Sequence, residues 1–509
     1  MRTVEVNLEE LDRIIDGGKQ APLREADGEK LKTVLHALAQ RAAPRSRSTE
    51  KTRDVLAPDQ PAPKPEHSAP GHGRNGEAEF TGAQRIVTPH EHLRPGDRCP
   101  ECQVGKVYPQ KPHTRLRIVG QVPLQATVYE MERLRCNGCQ EVFTAIAPAE
   151  SAGEKYDPSA AAMIALLRYG SGLPFHRLER LQAGAGIPLP AATQWDVAEA
   201  AAHTIWPVYD ELIGQAAQGG VFHNDDTGMR ILRLPREPAL QGQAARTGVF
   251  TSGIVAQVGV WTIALYFSGA NHAGENLARV LKRRAPGLAP LIQMCDALSR
   301  NAPRLAEGVR LLLAYCLAHG RRQFVEVAEN FPEQCRFVLE TLGRVWHNDA
   351  VARERQLTPD ERLRFHHEHS EPLMQTLHVW MEAQLAEHQT EPNSGLGKAI
   401  QYMLRHWQPL TLFLREPNAP LDNNVVERAL KKAILHRKNS LFYQTVNGAA
   451  VGDLYMSLIH TCELNGVNPF DYLTELGRHA GELKQNPSAW LPWTYRQTLA
   501  QRTAPAAAA

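Results

Sequence analysis

The 509-residue sequence contains no run of eighteen apolar residues, and its N-terminus, MRTVEVNLEELDR, lacks the apolar segment of a signal peptide. We therefore expect a soluble, cytoplasmic protein without a membrane span. Neither sign of charge dominates, since 57 Lys and Arg face 55 Asp and Glu, so any affinity for a polyanion must come from local basic clusters. Cysteine is sparse, eight in all, and the expected compartment argues against disulfides.

The length requires several domains, because single hydrophobic cores stop growing at about 250–300 residues. Residues 1–42 hold two amphipathic segments, LEELDRII and EKLKTVLHALAQ, separated by Gly17 and Gly18. Their apolar stripes predict helices that pair protomers or contact DNA. Residues 43–90 are rich in Pro, Gly and charge, as in APDQPAPKPEHSAPGHGRNG, and predict a flexible linker.

Two Cys-x-x-Cys pairs lie in the next segment, residues 91–150. CPEC occupies 99–102 and CNGC occupies 136–139, with 33 residues between them. This spacing is typical of a structural Zn²⁺ site in a zinc ribbon, with Cys99, Cys102, Cys136 and Cys139 as ligands. A redox role for either pair is the alternative. Zinc there would fold a platform rather than perform catalysis.

Residues 151–215 have the periodicity of helices. SAAAMIALLRYG and PFHRLERL precede the Gly-rich turn AGAGIPL, and a helix restarts at PAATQWDVAEAAAHTIW. A helix, a short glycine turn and a second helix are typical of a helix-turn-helix, in which Thr193 and Gln194 would face DNA bases. A plain helical hairpin is the alternative.

Residues 216–465 predict a sheet followed by helices. VFHNDDTGMRIL (221–232), GVFTSGIVAQ (248–257) and VGVWTIALYFSG (258–269) are β-branched and alternating. A helix, the short strand in PLIQMCDA, another helix and the strand in LLLAYCLA follow. This order predicts a mixed sheet flanked by helices. Residues from about 325 to 415 predict a helical insertion, and 466–509 form the C-terminal tail.

Two aspartates lie at the ends of these strands. Asp225 lies in the first strand and Asp296 directly follows the fourth. If those strands are neighbours, their carboxylates meet, and Glu427 at a helix N-terminus supplies a third. Converging carboxylates need cations, and oxygen ligands suit Mg²⁺ or Mn²⁺; two such ions ~3.5–4 Å apart perform phosphodiester chemistry. Taken singly, Asp225 could shape a turn and Asp296 could cap a helix.

The segment PLDNNVVERALKKAILHRKN (420–439) combines an acid with five cations. Asp422, Asn423 and Asn424 form its polar entry, and Glu427 lies in the first helical turn. The cations are Arg428, Lys431, Lys432, Arg437 and Lys438. Asn424 and Glu427 could form a capping box. Considered with the two aspartates, the segment favours a metal-binding Glu427, which the helix dipole keeps ionised.

Five stretches carry a family resemblance. HNDDTGMRIL, QMCDA, CLAHGRRQF, PLDNNVVERALKKAILHRKNSLF and IHTCELNGVNPFDYL, in this order, resemble the transposases of the insertion-sequence-sixty-six family (the TnpC type). The resemblance implies a multidomain α/β protein with an RNase H-like core, a helical insertion before the glutamate, and a DDE triad formed by Asp225, Asp296 and Glu427. It implies two Mg²⁺ (or Mn²⁺) per active site, and it puts His319, Arg321 and Arg322 close to the catalytic sheet. With this resemblance, we expect Arg321, Arg322 and the five cations of residues 428–438 to neutralise DNA phosphates.

The function that the resemblance implies is that of the DNA transposase of an insertion sequence, which binds terminal inverted repeats, cuts DNA and joins the new end to target DNA. The implied partners are double-stranded DNA, further copies of the chain in a homo-oligomer on DNA, and accessory proteins of the same element. The implied location is the bacterial cytoplasm, with nucleoid association when bound to DNA.

The chain departs from the family pattern at two places. Ala-Leu-Ser-Arg-Asn follows Asp296 where the family has a small residue and then Tyr-Ala-Gly, and Leu317 replaces a Trp. This departure favours one alternative, a catalytically inactive DNA-binding regulator. A nuclease of the same fold without strand transfer is the other.

Overall fold

The computed structural model describes residues 85–111, 121–135, 142–235, 248–305 and 308–503, together with Val55 and single positions at 113, 115, 118, 137 and 139. The predicted N-terminal helices and all of the linker except Val55 and residues 85–90 lie outside the described residues. No helix within the described ranges has the length and apolarity needed to cross a bilayer.

The segment before residue 150 contains only short β structure in its described part. Arg98 and Lys106 form an isolated antiparallel bridge around the first Cys-x-x-Cys pair. Strand β1 (Arg133–Arg135) pairs antiparallel with β2 (Val142–Thr144), and all side chains of both strands are exposed. Burial therefore contributes little to the folding of this hairpin.

A five-stranded mixed sheet lies at the centre of the main body. The strands that follow β2 are β3 (Val221–Gly228), β4 (Ile231–Arg233), β5 (Phe250–Val258), β6 (Trp261–Gly269), β7 (Leu291–Cys295), β8 (Leu311–Tyr315) and β9 (Tyr443–Thr445). The central sheet has the order β6-β5-β3-β7-β8, and β4 pairs with β9 separately. Strands β6, β5 and β3 are antiparallel, whereas β3, β7 and β8 are parallel. Its first and fourth strands are therefore neighbours.

Helices precede, interrupt and follow this sheet. They are α1 (Pro158–Ala165, continued by a π-helical turn Leu166–Gly170), α2 (Phe175–Gly184), α3 (Ala191–Ala216), α4 (Ala273–Leu281), α5 (Leu317–Val325), α6 (Pro332–Glu354), α7 (Pro359–His369), α8 (Glu371–Ala386), α9 (Gly395–Arg405), α10 (Trp407–Leu410), α11 (Asn424–Ser440), α12 (Val446–Leu464), α13 (Pro469–Arg478) and α14 (Tyr495–Thr503). The long helical segment between β8 and α11 is the counterpart of the predicted insertion.

Helix α12 covers the β6 edge of the sheet through a matched series of polar contacts. The backbone N–H groups of Thr262, Ala264, Tyr266 and Ser268 donate to side-chain oxygens of Asn465, Thr461, Ser457 and Asp453, at 3.1, 3.1, 3.0 and 2.6 Å. Every second strand residue rises about 6.6 Å and every fourth helix residue about 6 Å, so the two series stay in register. The edge is thereby closed to pairing with another strand.

Two hydrophobic cores meet at the sheet. The first contains β5 and β6 with α1, α3, α12 and α13, and its largest buried side chains include Tyr266, Tyr455 and Trp490. The second contains Ile292 of β7 and Ala314 of β8 with the helices of the insertion. Strands β5 and β6 therefore pack into the first core, whereas β7 contributes to both, with Leu291 in the first core and Ile292 in the second.

The structure corrects one predicted element. The helix expected between the fourth and fifth strands of the sheet is, in the described residues, a single 3-10 turn at Ser299–Asn301. The segment expected as a C-terminal tail carries α13 and α14, and Tyr472 and Leu476 of α13 are buried in the first core. The remaining domain boundaries stay predictions.

Candidate active site

Asp225 and Asp296 occupy equivalent positions on neighbouring parallel strands. The parallel pairing of β3 with β7 ends with His223 opposite Met294, and each aspartate lies two residues further along its own chain. Because side chains of a strand alternate between faces, Asp225 lies on the same face as His223. The carboxyl ends of the two strands thus present both acids at one place.

The side chain of Asn301 connects the two carboxylates. Its Nδ2 donates to Oδ1 of Asp296 and also lies 3.4 Å from Oδ1 of Asp225. The pKa of the Asp225 carboxyl is raised to about 6: burial is the largest cause, the charges of Asp296 and Asp226 also raise the pKa, and hydrogen bonds from the Asp226 backbone N–H and Asn301 lower it. Two carboxylates that share one amide and repel each other are a site prepared for a cation.

A buried polar network fixes the turn that carries Asn301. The Asn301 carbonyl accepts from Asn224 Nδ2 at 2.9 Å and from Gln293 Nε2 at 2.7 Å, and Gln293 Nε2 also donates to Asn224 Oδ1 at 2.7 Å. All three side chains are fully buried. Since β3 supplies Asn224 and β7 supplies Gln293, both strands hold the turn in place.

Asp226, the second acid of the Asp-Asp pair, is committed to neighbouring side chains. Its Oδ1 accepts from Ser252 Oγ at 2.7 Å, and its Oδ2 lies 2.9 Å from Nδ1 of His272. The Asp226 side chain is only 1% exposed. Asp225 is therefore the acid that is available for a ligand.

The entry of α11 is attached to strand β3 rather than capped by its own side chains. Asn423 is the N-cap residue, but its side chain contacts His223 Nδ1 at 3.1 Å and the Asn224 carbonyl at 3.2 Å and makes no capping bond. Asp422 instead accepts from the backbone N–H of Asn424 and from Trp346 Nε1, both at 3.1 Å. The capping box of Asn424 and Glu427 does not form, so the Glu427 carboxylate is left for another role.

His319 lies between the remaining acids. Burial lowers the pKa of this imidazole, and the nearby charge of Arg322 lowers it further, while the charges of Glu427 and Asp296 raise it. Both carboxylates therefore act on one ring. Hydrogen bonds thus join Asp225 and Asp296 through Asn301, and the charges of Asp296 and Glu427 both reach His319.

The three acids themselves are not the tightest ligand group. Among the described residues, the group of His, Cys, Asp or Glu ligand atoms within 4.8 Å of one another consists of Cys316, His319 and Glu427. The structure thus joins Asp225 to Asp296 through Asn301, and it places Glu427 next to His319. The direct convergence of all three carboxylates stays a prediction.

The predicted cations of α11 separate into two sets. Arg428, Lys431 and Lys438 are exposed on one face, together with Leu435; we call these three cations the basic stripe. Their spacing of three and seven residues follows the helical repeat.

The other two cations depart from the expectation, because protein groups hold them. Lys432 Nζ lies 2.8 Å from Glu463, and Arg437 Nη1 donates to the Gly228 carbonyl and, at 3.1 Å, to Thr227 Oγ1. Arg321 and Arg322 are half-buried on α5.

Gln194 is placed differently from its prediction. It is fully buried, and its Nε2 donates to the carbonyls of Phe175 at 3.0 Å and Leu189 at 2.9 Å. It therefore joins α2 to the start of α3 and does not face DNA bases. Thr193 is half-buried.

The first Cys-x-x-Cys pair forms a tight knuckle. Gly105 N–H donates to Cys102 Sγ at 3.4 Å, and Cys99 N–H donates to the Gly105 carbonyl at 2.8 Å. The N–H groups of Gly105 and Val104 and the neighbouring Cys99 lower the pKa of the Cys102 thiol. Cys139 is exposed and is not in a disulfide, while Cys136 lies outside the described residues. The four-thiolate zinc site stays a prediction.

Sequence reasoning missed the polar residues that support the acids. Asn301 lies in the Ala-Leu-Ser-Arg-Asn stretch that departs from the family pattern, and Cys316 lies three residues before His319. Each residue has a sequence signal: Asn301 is an amide five residues after Asp296, and Cys316 begins a Cys-x-x-His spacing at a helix start. Neither signal shows which side chain the residue contacts, because that depends on the strand register.

Comparisons with known proteins agree with this architecture. The family described as "Transposase IS66 family" matches residues 153–451. Two uncharacterized proteins of Sinorhizobium fredii are similar: y4hP is 26% identical over 413 residues, covering 75% of this chain and 70% of y4hP, and y4jD is 29% identical over 388 residues, covering 72% of this chain and 71% of y4jD. Because the family match spans more than half of the chain, the protein belongs to the IS66 family of transposases.

Proposed function

We propose that this protein is the DNA transposase of an insertion sequence, acting through a DDE triad of Asp225, Asp296 and Glu427 on an RNase H-like core. The observation that carries the proposal is the pairing of Asp225 and Asp296 at the ends of parallel strands, with one amide between them. The sheet has the arrangement expected of that core: its first three strands in chain order, β3, β5 and β6, are antiparallel, whereas β3, β7 and β8 are parallel.

The donor set fits Mg²⁺ or Mn²⁺. Asp225 and Asp296 offer carboxylate oxygens, which these ions prefer, and burial, together with the charges of Asp296 and Asp226, raises the pKa of Asp225. Glu427 does not form the capping box and lies in the first turn of α11, where the helix dipole favours a negative charge. When bound, two ions would activate an attacking oxygen and stabilise the leaving oxygen of a phosphodiester.

The residues around the acids perform the positioning. Asn301 holds the two aspartates at a fixed separation, and Asn423 anchors the start of α11 to β3. His319 has a lowered pKa, so at neutral pH it is an uncharged group beside Glu427 and Asp296. Hydrogen bonds thereby connect β3, the turn after β7 and the start of α11 around the site.

DNA binding is assigned to the basic stripe. Arg428, Lys431 and Lys438 face solvent on the helix that also carries Glu427. A phosphate backbone along this face would bring a phosphodiester towards the first turn of α11, and such contacts set position rather than base sequence. Recognition of the terminal inverted repeats falls to the N-terminal regions, including the proposed zinc ribbon. Because both element ends must be cut together, we expect a homo-oligomer on DNA, with accessory proteins of the same element as possible further components.

The test uses DNA duplexes that carry the ends of the element encoding the chain. Asp225→Asn, Asp296→Asn and Glu427→Gln should each reduce Mg²⁺-dependent cleavage and joining about a thousandfold, since loss of a metal ligand removes about 4 kcal/mol of transition-state stabilisation. Glu368→Gln is the control, because Glu368 is 77% exposed on the insertion. Activity is measured as nicked and joined products on denaturing gels.

Other results of this experiment would indicate a different activity of the protein. Cleavage without joined products indicates a nuclease of the same fold. Tight binding of the element ends without Mg²⁺-dependent cleavage indicates an inactive regulator. Full activity of Glu427→Gln would refute the proposed triad.

A further inference from the structure

A second set of ligand atoms lies beside the proposed triad, where α5 and α11 begin. The Sγ of Cys316, a ring nitrogen of His319 and a carboxylate oxygen of Glu427 all lie within 4.8 Å of one another. Cys316 is the N-cap residue of α5, and His319 lies one helical turn later, so one turn presents both side chains in the same direction. Glu427 approaches them from the first turn of α11.

The chemistry of these three groups differs from that of the aspartates. Thiolate, imidazole and carboxylate together are ligands of Zn²⁺, whereas Mg²⁺ prefers oxygen ligands alone. Zinc bonds of about 2.0–2.3 Å place tetrahedral ligand atoms roughly 3.5 Å apart, so small side-chain rotations close the observed group around an ion. Three protein ligands leave a fourth position for water.

The surrounding contacts hold the group in place. The backbone N–H of Asn423 donates to Cys316 Sγ at 3.2 Å, and the Leu317 N–H donates to the Leu421 carbonyl at 3.0 Å. These bonds join the start of α5 to the approach of α11, as outer-shell contacts do in metal sites. The buried Nδ1 of His319 has no hydrogen-bond partner within the described part of the chain, although buried polar atoms rarely lack one. A bound cation would give this ring the interaction that it lacks.

We propose that Cys316, His319 and Glu427 bind a thiophilic divalent cation such as Zn²⁺, and that occupation of this site withdraws Glu427 from the Mg²⁺ site. On binding, a sulfur–metal bond forms and the Cys316 thiol proton passes to solvent. Zinc then inhibits DNA cleavage by competing for one carboxylate. This inhibition rests on the proposed transposase function, whereas the binding itself does not.

Binding is tested on the full chain with Co²⁺, whose bond to a thiolate gives a near-ultraviolet charge-transfer band. The wild-type protein should bind one more Co²⁺ ion, with its thiolate band, than Cys316→Ser or His319→Gln. The other cysteines contribute equally to every protein compared. Cys335→Ser is the control, because Cys335 is a buried cysteine in the second core and should leave the stoichiometry unchanged.

One result of the Co²⁺ experiment would contradict the proposed metal site. A folded Cys316→Ser protein with the wild-type number of Co²⁺ ions and an unchanged band would overturn the site. If circular dichroism shows that Cys316→Ser does not fold, His319→Gln decides in the same way, since His319 is only half-buried.

Inhibition is tested by adding Zn²⁺ to the Mg²⁺-dependent cleavage reaction. For each protein, the rate with zinc is divided by its own rate without zinc. We expect the fold inhibition of the wild type to exceed that of Cys316→Ser at least tenfold and to equal that of Cys335→Ser. Equal inhibition of wild type and Cys316→Ser would refute the competition. Absence of any cleavage would refute the proposed function while leaving the Co²⁺ result intact.

Discussion

In the antiparallel half of the central sheet, four N–H groups along the outer edge of β6 are paired with side chains of α12 and its C-cap residue, whereas in the parallel half two buried side-chain oxygens have no hydrogen-bond partner among the described residues. Along β6, the N–H groups of alternate residues each meet one side chain of α12. At the ends of β3 and β7, one amide of Asn301 serves two carboxylates, and one amide of Gln293 serves two oxygens. The first half closes an edge of the sheet, whereas the second brings the carboxylates of Asp225 and Asp296 to one place.

In the parallel half, two buried side-chain oxygens lack hydrogen-bond partners within the part of the chain that the structure describes, which is energetically unfavourable. Asn301 Oδ1 and Gln293 Oε1 are buried without a hydrogen-bond partner among the described residues. Burial raises the pKa of Asp225 to about 6 and that of Asp453, beside β6, to about 7, but both carboxylate oxygens of Asp453 accept hydrogen bonds from Ser268. Unpaired buried polar atoms are rare in native proteins and concentrate at functional sites. The comparison therefore predicts that substitutions in the two halves affect different quantities.

The largest effect is expected from removing the contacts along β6. The double substitution Ser457→Ala and Thr461→Val leaves the N–H groups of Tyr266 and Ala264 buried and unpaired, which costs about 1–3 kcal/mol for each group. We expect the free energy of unfolding, measured with denaturant, to fall by about 2–6 kcal/mol. Thr376→Val is the control, since this exposed hydroxyl donates only to the Pro372 carbonyl of its own helix. A loss below about 1 kcal/mol would contradict the role given to these contacts.

Asp225→Asn is expected to increase the free energy of unfolding, by less than the double substitution beside β6 decreases it. The pKa of Asp225 in the folded protein, about 6, lies above the ordinary 3.8, so between these values the folded state binds more protons than the unfolded state. The free energy of unfolding therefore falls as the pH rises through that window. In the absence of metal and above about pH 7, Asp225→Asn should therefore increase the free energy of unfolding by at most about 3 kcal/mol. This increase should vanish below about pH 4.

This prediction is checked by denaturant unfolding in the presence of a chelator at several pH values. Glu368→Gln should show no such pH-dependent gain, because Glu368 is exposed. A destabilised Asp225→Asn protein at neutral pH would mean that the carboxylate is stabilised in the fold. The parallel half would then not differ from the antiparallel half in the way described.

Part of this comparison could be predicted from sequence. The β-branched alternation predicted the strands, and the position of Asp225 and Asp296 predicted that they would meet if the first and fourth strands were neighbours. Local patterns carry this information, because alternation and strand order need only the chain itself. The pairing of His223 with Met294, which brings the two acids level, is a tertiary fact.

The predictions that the structure does not bear out failed because tertiary contacts are not encoded in local sequence patterns. Asn424 and Glu427 satisfy the sequence rule for a capping box, but α11 already begins at Asn424, so Asn423 is the N-cap residue, and its side chain contacts His223 and the Asn224 carbonyl of β3. A local rule cannot anticipate that tertiary contact. Gln194 occupies the predicted recognition position, yet it is buried between α2 and α3. The polar series Asp453, Ser457, Thr461 and Asn465 has a four-residue repeat that was readable, although its partner strand was not.

The smallest effect distinguishes adjacent lysines on α11. Lys431 belongs to the exposed basic stripe, whereas Lys432 pairs with Glu463 of α12, which packs on the antiparallel half. Each phosphate contact changes the slope of log K against log salt by about 0.9, so Lys431→Gln should reduce the slope of DNA binding by about 0.9. Lys432→Gln should leave that slope unchanged and lower the free energy of unfolding by about 0.5 kcal/mol, as expected for a partly exposed ion pair. Fluorescence anisotropy at several salt concentrations measures the slope, and equal slopes for the two variants would show that the basic stripe does not bind DNA as proposed.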